Sequence, residues 1–125
     1  MSTQSNARTT QEVANRLVEL CRKGQILETQ EELFDDDVMS IEPAHAPGNR
    51  HVEGKEKVIE KSKHFATMIE AVHGSEISNP VVAGEWFSLS WLFDVTLKEQ
   101  GRQQMNEICV YQVKDGKVVH EQFFY

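Results

Sequence analysis

The chain has 125 residues, of which 39% are hydrophobic and 26% are charged, and its formal net charge is −7. A single domain of this length can bury an adequate core without covalent cross-links. The negative net charge argues against binding to nucleic acid or to an anionic membrane, because both require clustered Lys and Arg side chains.

The cysteines and the apolar segments restrict the class of protein further. Cys21 and Cys109 are far apart and form no CxxC motif, so the sequence indicates neither a zinc site nor a disulfide framework. The first ten residues are polar and no apolar run reaches membrane-spanning length. We therefore expect a cytoplasmic protein that needs no metal or cofactor.

Three helices are predicted in the first 72 residues. Thr9 and Glu12 form a capping-box pattern at the start of the first helix, and Gly24 suits its end. Apolar residues then recur at helical spacing in two further segments. The helices are predicted to end near residues 23, 34 and 72. Residues 1–8 are predicted to be a flexible tail, so the single domain covers residues 9–125.

The remainder of the chain alternates apolar and polar residues, which is typical of strands. Residues 86–97 show the clearest period of two. The predicted strands cover residues 38–42, 77–82, 86–97, 102–113 and 117–125. These elements predict an α+β fold, a cone-shaped, curved antiparallel sheet wrapped around three N-terminal helices. The open end of such a sheet is a usual place for a small-molecule site.

The turn of the last hairpin decides which side chains face this pocket. A two-residue loop at Asp115-Gly116 pairs Val113 with Val118, whereas a three-residue loop pairs Val113 with Lys117. Lys-Asp-Gly favours the three-residue form, closed by a left-handed glycine. This form places the following residues on one face: Glu107, Cys109, Tyr111, Val119, Glu121, Phe123 and Tyr125.

The opposite face of this hairpin is also partly apolar. It carries Ile108, Val110, Val118 and Phe124. An antiparallel sheet with one solvated face shows a cleaner alternation than this. The pattern therefore predicts that a second copy of the chain covers the outer face in a homodimer.

The turn-rich stretch from Glu42 to His51 concentrates candidate catalytic groups. Glu42 precedes Pro43, which ends the first strand. Glu42 is either a carboxylate at the pocket mouth that moves a proton near neutral pH, or a strand-end residue paired with Arg50. His45 and His51 are either its proton-relay partners or exposed loop residues, and their spacing matches no metal signature.

Further residues of the predicted pocket lie on the strands and on the first helix. Glu107 and Glu121 either join Glu42 in a group of carboxylates, one of which keeps its proton at neutral pH, or form salt bridges with Arg102 or a lysine. The predicted pocket walls are Leu17, Trp91, Phe93, Cys109, Tyr111, Phe123 and Tyr125. Their apolar character indicates a small, apolar ligand. The lysines of the third helix are interpreted as a solvated, charge-paired face.

Three segments of the chain resemble the SnoaL-like branch of the nuclear transport factor 2-like superfamily, which includes the ketosteroid isomerase-like fold. They are LFDDDVMSIEP at residues 33–43, GKEKVI at residues 54–59, and the tail VYQVKDGKVVHEQFFY at residues 110–125. The resemblance implies the cone-shaped α+β fold. It leaves the activity open, because the superfamily contains isomerases, cyclases, epoxide hydrolases, dehydratases and binding modules.

The resemblance also implies roles for individual residues. Ketosteroid isomerases carry a catalytic Asp directly before a Pro after the first strand, and Glu42-Pro43 occupies that place. Their oxyanion hole uses a Tyr and a protonated Asp, whereas the matching positions are Leu17 and Cys109, which argues against steroid isomerase activity. We expect a cofactor-independent isomerase, cyclase or lyase with Glu42 as general base, or alternatively a non-catalytic ligand-binding or dimerisation module.

Overall fold

The structure, a computed structural model, describes residues 7–125. Its three helices are α1 (Thr10–Arg22), α2 (Ile26–Leu33) and α3 (Lys55–Met68). Its seven strands are β1 (Phe34–Ile41), β2 (His51–Glu53), β3 (Ile69–Ile77), β4 (Val81–Ala83), β5 (Trp86–Leu97), β6 (Gly101–Lys114) and β7 (Lys117–Phe124). No helix of this described part is long and apolar enough to cross a membrane.

The strands form one open sheet in the order β2-β1-β7-β6-β5-β3, and β4 pairs with β5 beside β3. The sheet is mixed, because β1 runs parallel to β7 while the other pairs are antiparallel. Side chains of α1, α2 and α3 join those of the sheet in one buried core. The predicted α+β class, with three helices against a sheet, is confirmed.

The start and the end of α1 agree with the sequence signals. The Thr9 hydroxyl accepts a hydrogen bond from the Glu12 amide at 3.1 Å, and the Glu12 carboxylate accepts one from the Thr9 amide at 2.8 Å. These bonds satisfy donors that a helix start otherwise leaves unpaired. Gly24, with φ +75°, follows the end of the helix.

The boundaries of α3 and of the next strands differ from the prediction. The helix ends at Met68 rather than near residue 72, and the following residues form β3 along β5. The predicted strand over 77–82 is likewise wrong, because Ile77 ends β3 and β4 begins at Val81. The β-branched Ile69 and Val72 suit a strand, and pairing with the long β5 overrides the helical spacing.

The last hairpin has a two-residue turn, so the predicted three-residue loop is wrong. Asp115 and Gly116 have φ of +50° and +76°, and Val113 pairs with Val118. The register then shifts by one residue, so that Tyr111 pairs with Glu121. Such a bulge moves the rest of a strand to the opposite alternation. Glu121 therefore shares a face with Tyr111 as expected, while Val118 is in the core rather than on the outer face.

Most of the predicted tail, residues 1–6, lies outside the described residues. Ala7 and Arg8 lie against the turn of the last hairpin. A Cβ added to Gly116 would be 2.7 Å from the backbone nitrogen of Arg8. The Arg8 guanidinium also forms an ion pair with Glu32 at 2.9 Å.

Candidate functional site

A group of buried polar side chains lies where β1, β7 and α3 meet. Ser40 of β1 and Glu121 of β7 are register partners, and the Ser40 hydroxyl donates a hydrogen bond of 2.7 Å to the Glu121 carboxylate. Ser40 is fully buried and Glu121 is 4% exposed. Burial raises the pKa of Glu121 to about 7, although the bond from Ser40 and the charge of Lys61 oppose the rise.

Lys61 reaches this group from α3. Its Nζ donates to Ser40 Oγ at 3.0 Å and to Glu42 Oε2 at 3.2 Å, and it lies 5.7 Å from the centre of the Phe123 ring. The prediction of a solvated lysine face is therefore wrong for Lys61. The available signal was its position three residues after the buried Val58, on the same face of the helix.

Glu42 is held at both carboxylate oxygens. Lys61 binds Oε2, and the Tyr125 hydroxyl donates to Oε1 at 2.7 Å. Burial, followed by the contact with Glu42, raises the pKa of Tyr125 above its ordinary value. The His45 ring meets the Tyr125 ring edge to face at 5.5 Å, so both rings lie at the exposed side of the site.

Glu107 is the third carboxyl of the group. It lies beside Trp91 in the register of β5 and β6, and it accepts a weak hydrogen bond from the Cys109 thiol at 3.7 Å. Burial, and then the charge of Glu42, raise the pKa of Glu107 to about 7. Burial also raises the pKa of the Cys109 thiol, which makes this cysteine a poor nucleophile at neutral pH.

The apolar residues of the predicted pocket divide into two sets. Leu17, Cys109 and Tyr111 are in the core, and the Tyr111 ring stacks on Phe87 with centroids 4.8 Å apart. The half-buried residues of the same sheet face are Trp91, Phe93 and Phe123. These three aromatic rings form the apolar surroundings of the carboxyl groups.

Two charged residues of the sequence analysis lie elsewhere. His51 is on β2 with 57% of its side chain exposed, and its Nε2 is 3.7 Å from the Glu53 carboxylate. Arg102 binds Asp94 through two hydrogen bonds rather than Glu107 or Glu121. Within residues 7–125, no three His, Cys, Asp or Glu side chains are grouped in a way that could hold a metal ion.

The site consequently contains Ser40, Glu42, Lys61, Glu107, Glu121 and Tyr125. We call these six residues the carboxyl cluster. The group combines one ammonium with three carboxyls in partly apolar surroundings. Such an arrangement can hold and move protons, because burial raises the pKa of Glu107 and that of Glu121 to about 7.

Comparison with known proteins identifies the family of the chain. A family model described as SnoaL-like domain matches residues 8–125. The chain belongs to the SnoaL-like family. Comparison with curated proteins found no match.

One solved structure supports the same assignment, and two more distant ones share the fold. A Mesorhizobium loti protein described as a candidate SnoaL-like polyketide cyclase is 36% identical, with a TM-score of 0.88 over 94% of this chain and 100% of that chain. A Jannaschia protein described in the same way is 17% identical, with a TM-score of 0.71 over 99% and 90% of the two chains. A Catenulispora acidiphila protein with a ketosteroid isomerase-like fold, in complex with trimethylamine, is 19% identical, with a TM-score of 0.72 over 94% and 87%. The resemblance inferred from the sequence segments is thereby confirmed.

Proposed function

We propose that this SnoaL-like protein binds a small, largely apolar molecule at the carboxyl cluster and moves a proton on it, as an isomerase or cyclase without a cofactor. The observation that carries the proposal is the burial of Glu107 and Glu121 beside Glu42, which raises both pKa values to about 7. A carboxyl group that titrates near the working pH can both donate and accept a proton.

Different members of the cluster suit different roles in this proposal. Glu42 is the general base, because it is paired with an ammonium and its side chain is 20% exposed, within reach of a bound molecule. Glu107 supplies a protonated carboxyl next to it. Glu121 is 4% exposed and bonded to Ser40, so it acts as a positioning residue rather than contacting substrate.

The two histidines that were predicted as partners of Glu42 lie in different places. His45 contacts Tyr125, which binds Glu42, so His45 belongs to the mouth of the site. His51 is an exposed residue of β2 that contacts Glu53, so it takes no part in the proposed reaction. The expected substrate is apolar because Trp91 and Phe93 accompany the carboxyl groups.

The proposal is tested by proton exchange on a simple probe. 2-Tetralone is apolar and has an acidic C–H next to its carbonyl group, and its exchange in D₂O is followed by NMR. We expect the protein to accelerate this exchange and Glu42→Gln to slow it by about 10²–10⁴-fold, the usual contribution of a general base. Glu56→Gln, an exposed change in the first turn of α3, is the matched control and should keep the full rate.

A specific observation favours the alternative of a non-catalytic binding module. Both oxygens of Glu42 already have partners, Lys61 and Tyr125, so the base is engaged within the protein itself. Exchange no faster than in buffer would favour this alternative. Exchange that requires Glu42 would exclude a non-catalytic module, since binding alone does not remove a proton from the ligand.

We further propose that the outer face of the sheet binds a second copy of the chain. Trp86, Ile108 and Phe124 are 42%, 47% and 50% exposed. Their neighbours across β5, β6 and β7 include no Asp, Glu, Lys or Arg, namely Ser88, Ser90, Val110, Gln112, His120 and Gln122. A contact without carboxylates suits two copies that each carry a net charge of −7 and otherwise repel.

Sedimentation measures this association directly. Ile108→Asp should convert a dimer into a monomer, because it places a charge inside the proposed contact. Val72→Asp is the control. Val72 is 58% exposed, but it pairs with the inward-facing Val95 and therefore lies on the face of the sheet opposite to the proposed contact. A wild-type protein that sediments as a monomer would contradict the proposed dimer.

A further inference from the structure

Proton abstraction next to a carbonyl group leaves negative charge on the carbonyl oxygen, and this charge needs a donor. Leu17 and Cys109 of the predicted pocket are poor candidates for this donor. They are 1% and 0% exposed, respectively, and one is an aliphatic side chain while the other is a weakly donating thiol. The donor must therefore be another group, and an ammonium also supplies the positive charge that a protonated Glu107 carboxyl lacks.

Lys61 has the necessary position and donors. An ammonium has three N–H donors, and within residues 7–125 the hydrogen bonds of Lys61 go to Ser40 and Glu42. One donor therefore remains for an incoming oxygen. The side chain is 30% exposed, so a molecule that arrives from solvent can reach it.

We propose that Lys61 is the electrophilic catalytic residue of this site, whose Nζ binds the carbonyl oxygen of the substrate while Glu42 removes a proton from the adjacent carbon. This inference rests on the proposed function and adds a role for Lys61, which requires a carbonyl oxygen next to the acidic C–H of the substrate.

The step is balanced in atoms and charge. The α-C–H bond breaks, its proton goes to Glu42, and its electron pair forms the carbon–carbon double bond of an enolate. The carbonyl π pair moves to oxygen, which accepts a hydrogen bond from Lys61. In a conjugated enolate, return of the proton from Glu42 to the γ-carbon isomerises the substrate. Alternatively, the enolate carbon attacks a second carbonyl group and closes a ring; the π pair of that carbonyl moves to its oxygen, and the resulting alkoxide takes the proton from Glu42.

The position of Lys61 between base and substrate explains why it favours this step. Before transfer its ammonium balances the charge of Glu42, and after transfer it balances the enolate oxygen. The ammonium of Lys61 is therefore paired with one negative charge before and after the transfer, although this charge moves from Glu42 to the substrate oxygen. Preorganised charges of this kind lower a barrier because they need no rearrangement during the reaction.

The first test measures deuterium exchange of 2-tetralone by the whole protein and its variants. Lys61→Met keeps the length and apolar character of the side chain but removes the charge. We expect it to lower kcat by about 10²–10³-fold, the usual effect of losing one oxyanion donor, with a smaller effect on KM. Lys61→Arg should restore part of the rate, and Lys63→Met, an exposed change on the same helix, should leave it unchanged.

The second test is independent of turnover and measures the ionisation of bound 4-nitrophenol from its absorbance. Its phenolate oxygen imitates the enolate oxygen. We expect binding to lower the apparent pKa of the phenol, and Lys61→Met to raise it again by about 1–3 pH units, as loss of an adjacent opposite charge does. Glu42→Gln should act in the opposite direction, because it frees Lys61 from its carboxylate partner.

The outcomes separate this inference from the proposed function. Exchange that depends on Glu42 but not on Lys61 overturns only the role of Lys61. No exchange by the wild type overturns the proposed function itself. A wild type that leaves 4-nitrophenol unbound or un-ionised at millimolar concentration, or variants of Lys61 and Glu42 that shift its ionisation in the same direction, also overturn the inference. If Lys61→Met does not fold, Lys61→Arg and Glu42→Gln decide.

Discussion

Replacement of Glu121 by Gln should remove a pH-dependent loss of stability. Burial raises the pKa of Glu121 from 4.5 to about 7. Between these values the folded state keeps the proton that the unfolded state has released, so stability falls as pH rises through this window. The difference corresponds to about 3 kcal/mol at roughly 1.4 kcal/mol per pKa unit, and the residue is 4% exposed, so solvent screening reduces it little.

The expected effect of Glu121→Gln therefore depends on pH. The Gln carbonyl oxygen can still accept the hydrogen bond from Ser40, but the side chain no longer ionises. Near pH 4.5 the variant and the wild type should have similar stability. At pH 8 the variant should be more stable by up to about 3 kcal/mol, because the wild type must hold a buried charge there.

Urea unfolding at a series of pH values from 4.5 to 8 measures this difference. Protein concentration is held constant, since association of two copies contributes to apparent stability. Glu70→Gln is the control, because Glu70 is exposed on β3. A stability difference that is independent of pH would refute the reasoning, as would a Glu121→Gln protein that is less stable at pH 8. The first result would mean that burial does not change the pKa of Glu121, and the second would mean that Lys61 stabilises an ionised Glu121.

Three further substitutions test the local structure by chemical denaturation. Ser40→Ala should lower the free energy of unfolding by about 1–3 kcal/mol, because it leaves buried partners unsatisfied; a change below 0.5 kcal/mol would contradict this. Gly116→Ala should destabilise the protein more than Gly84→Ala, because both glycines have positive φ but a Cβ meets neighbouring atoms only at Gly116; equal losses would show that the contact is unimportant. Thr9→Ala should cost about 1 kcal/mol through loss of the helix cap, and Thr10→Ala should cost less.

The fold follows from local signals where these signals do not compete. The capping residues of α1 and the alternation of β5 each predict the observed element. The end of α3 is different, because Ile69 and Val72 fit both a helical stripe and a strand. Pairing with β5 decides between these alternatives, and a single sequence contains no direct record of that pairing.

The candidate site is harder to predict than the fold. Glu121 faces inward because a one-residue bulge in the last hairpin offsets the effect of its two-residue turn. Prediction of this orientation therefore requires both the turn length and the bulge. Lys61 lies among other lysines of α3, and its spacing from the buried Val58 is a weak sign that this lysine points inward. Ser40 is a small residue whose importance comes from its partner on β7. In each case the information lies in contacts between distant segments.

The parallel pairing of β1 with β7 has a consequence for biosynthesis. Ser40 and Glu121 are 81 residues apart in sequence, and β7 is the last strand. During synthesis β1 leaves the ribosome long before β7 is made, so the edge of β1 that pairs with β7 stays unpaired in the meantime. Contacts of such high sequence separation slow folding and prolong exposure to aggregation. The same pairing creates the Ser40–Glu121 contact, so the nascent chain acquires its carboxyl cluster only after β7 has been synthesised.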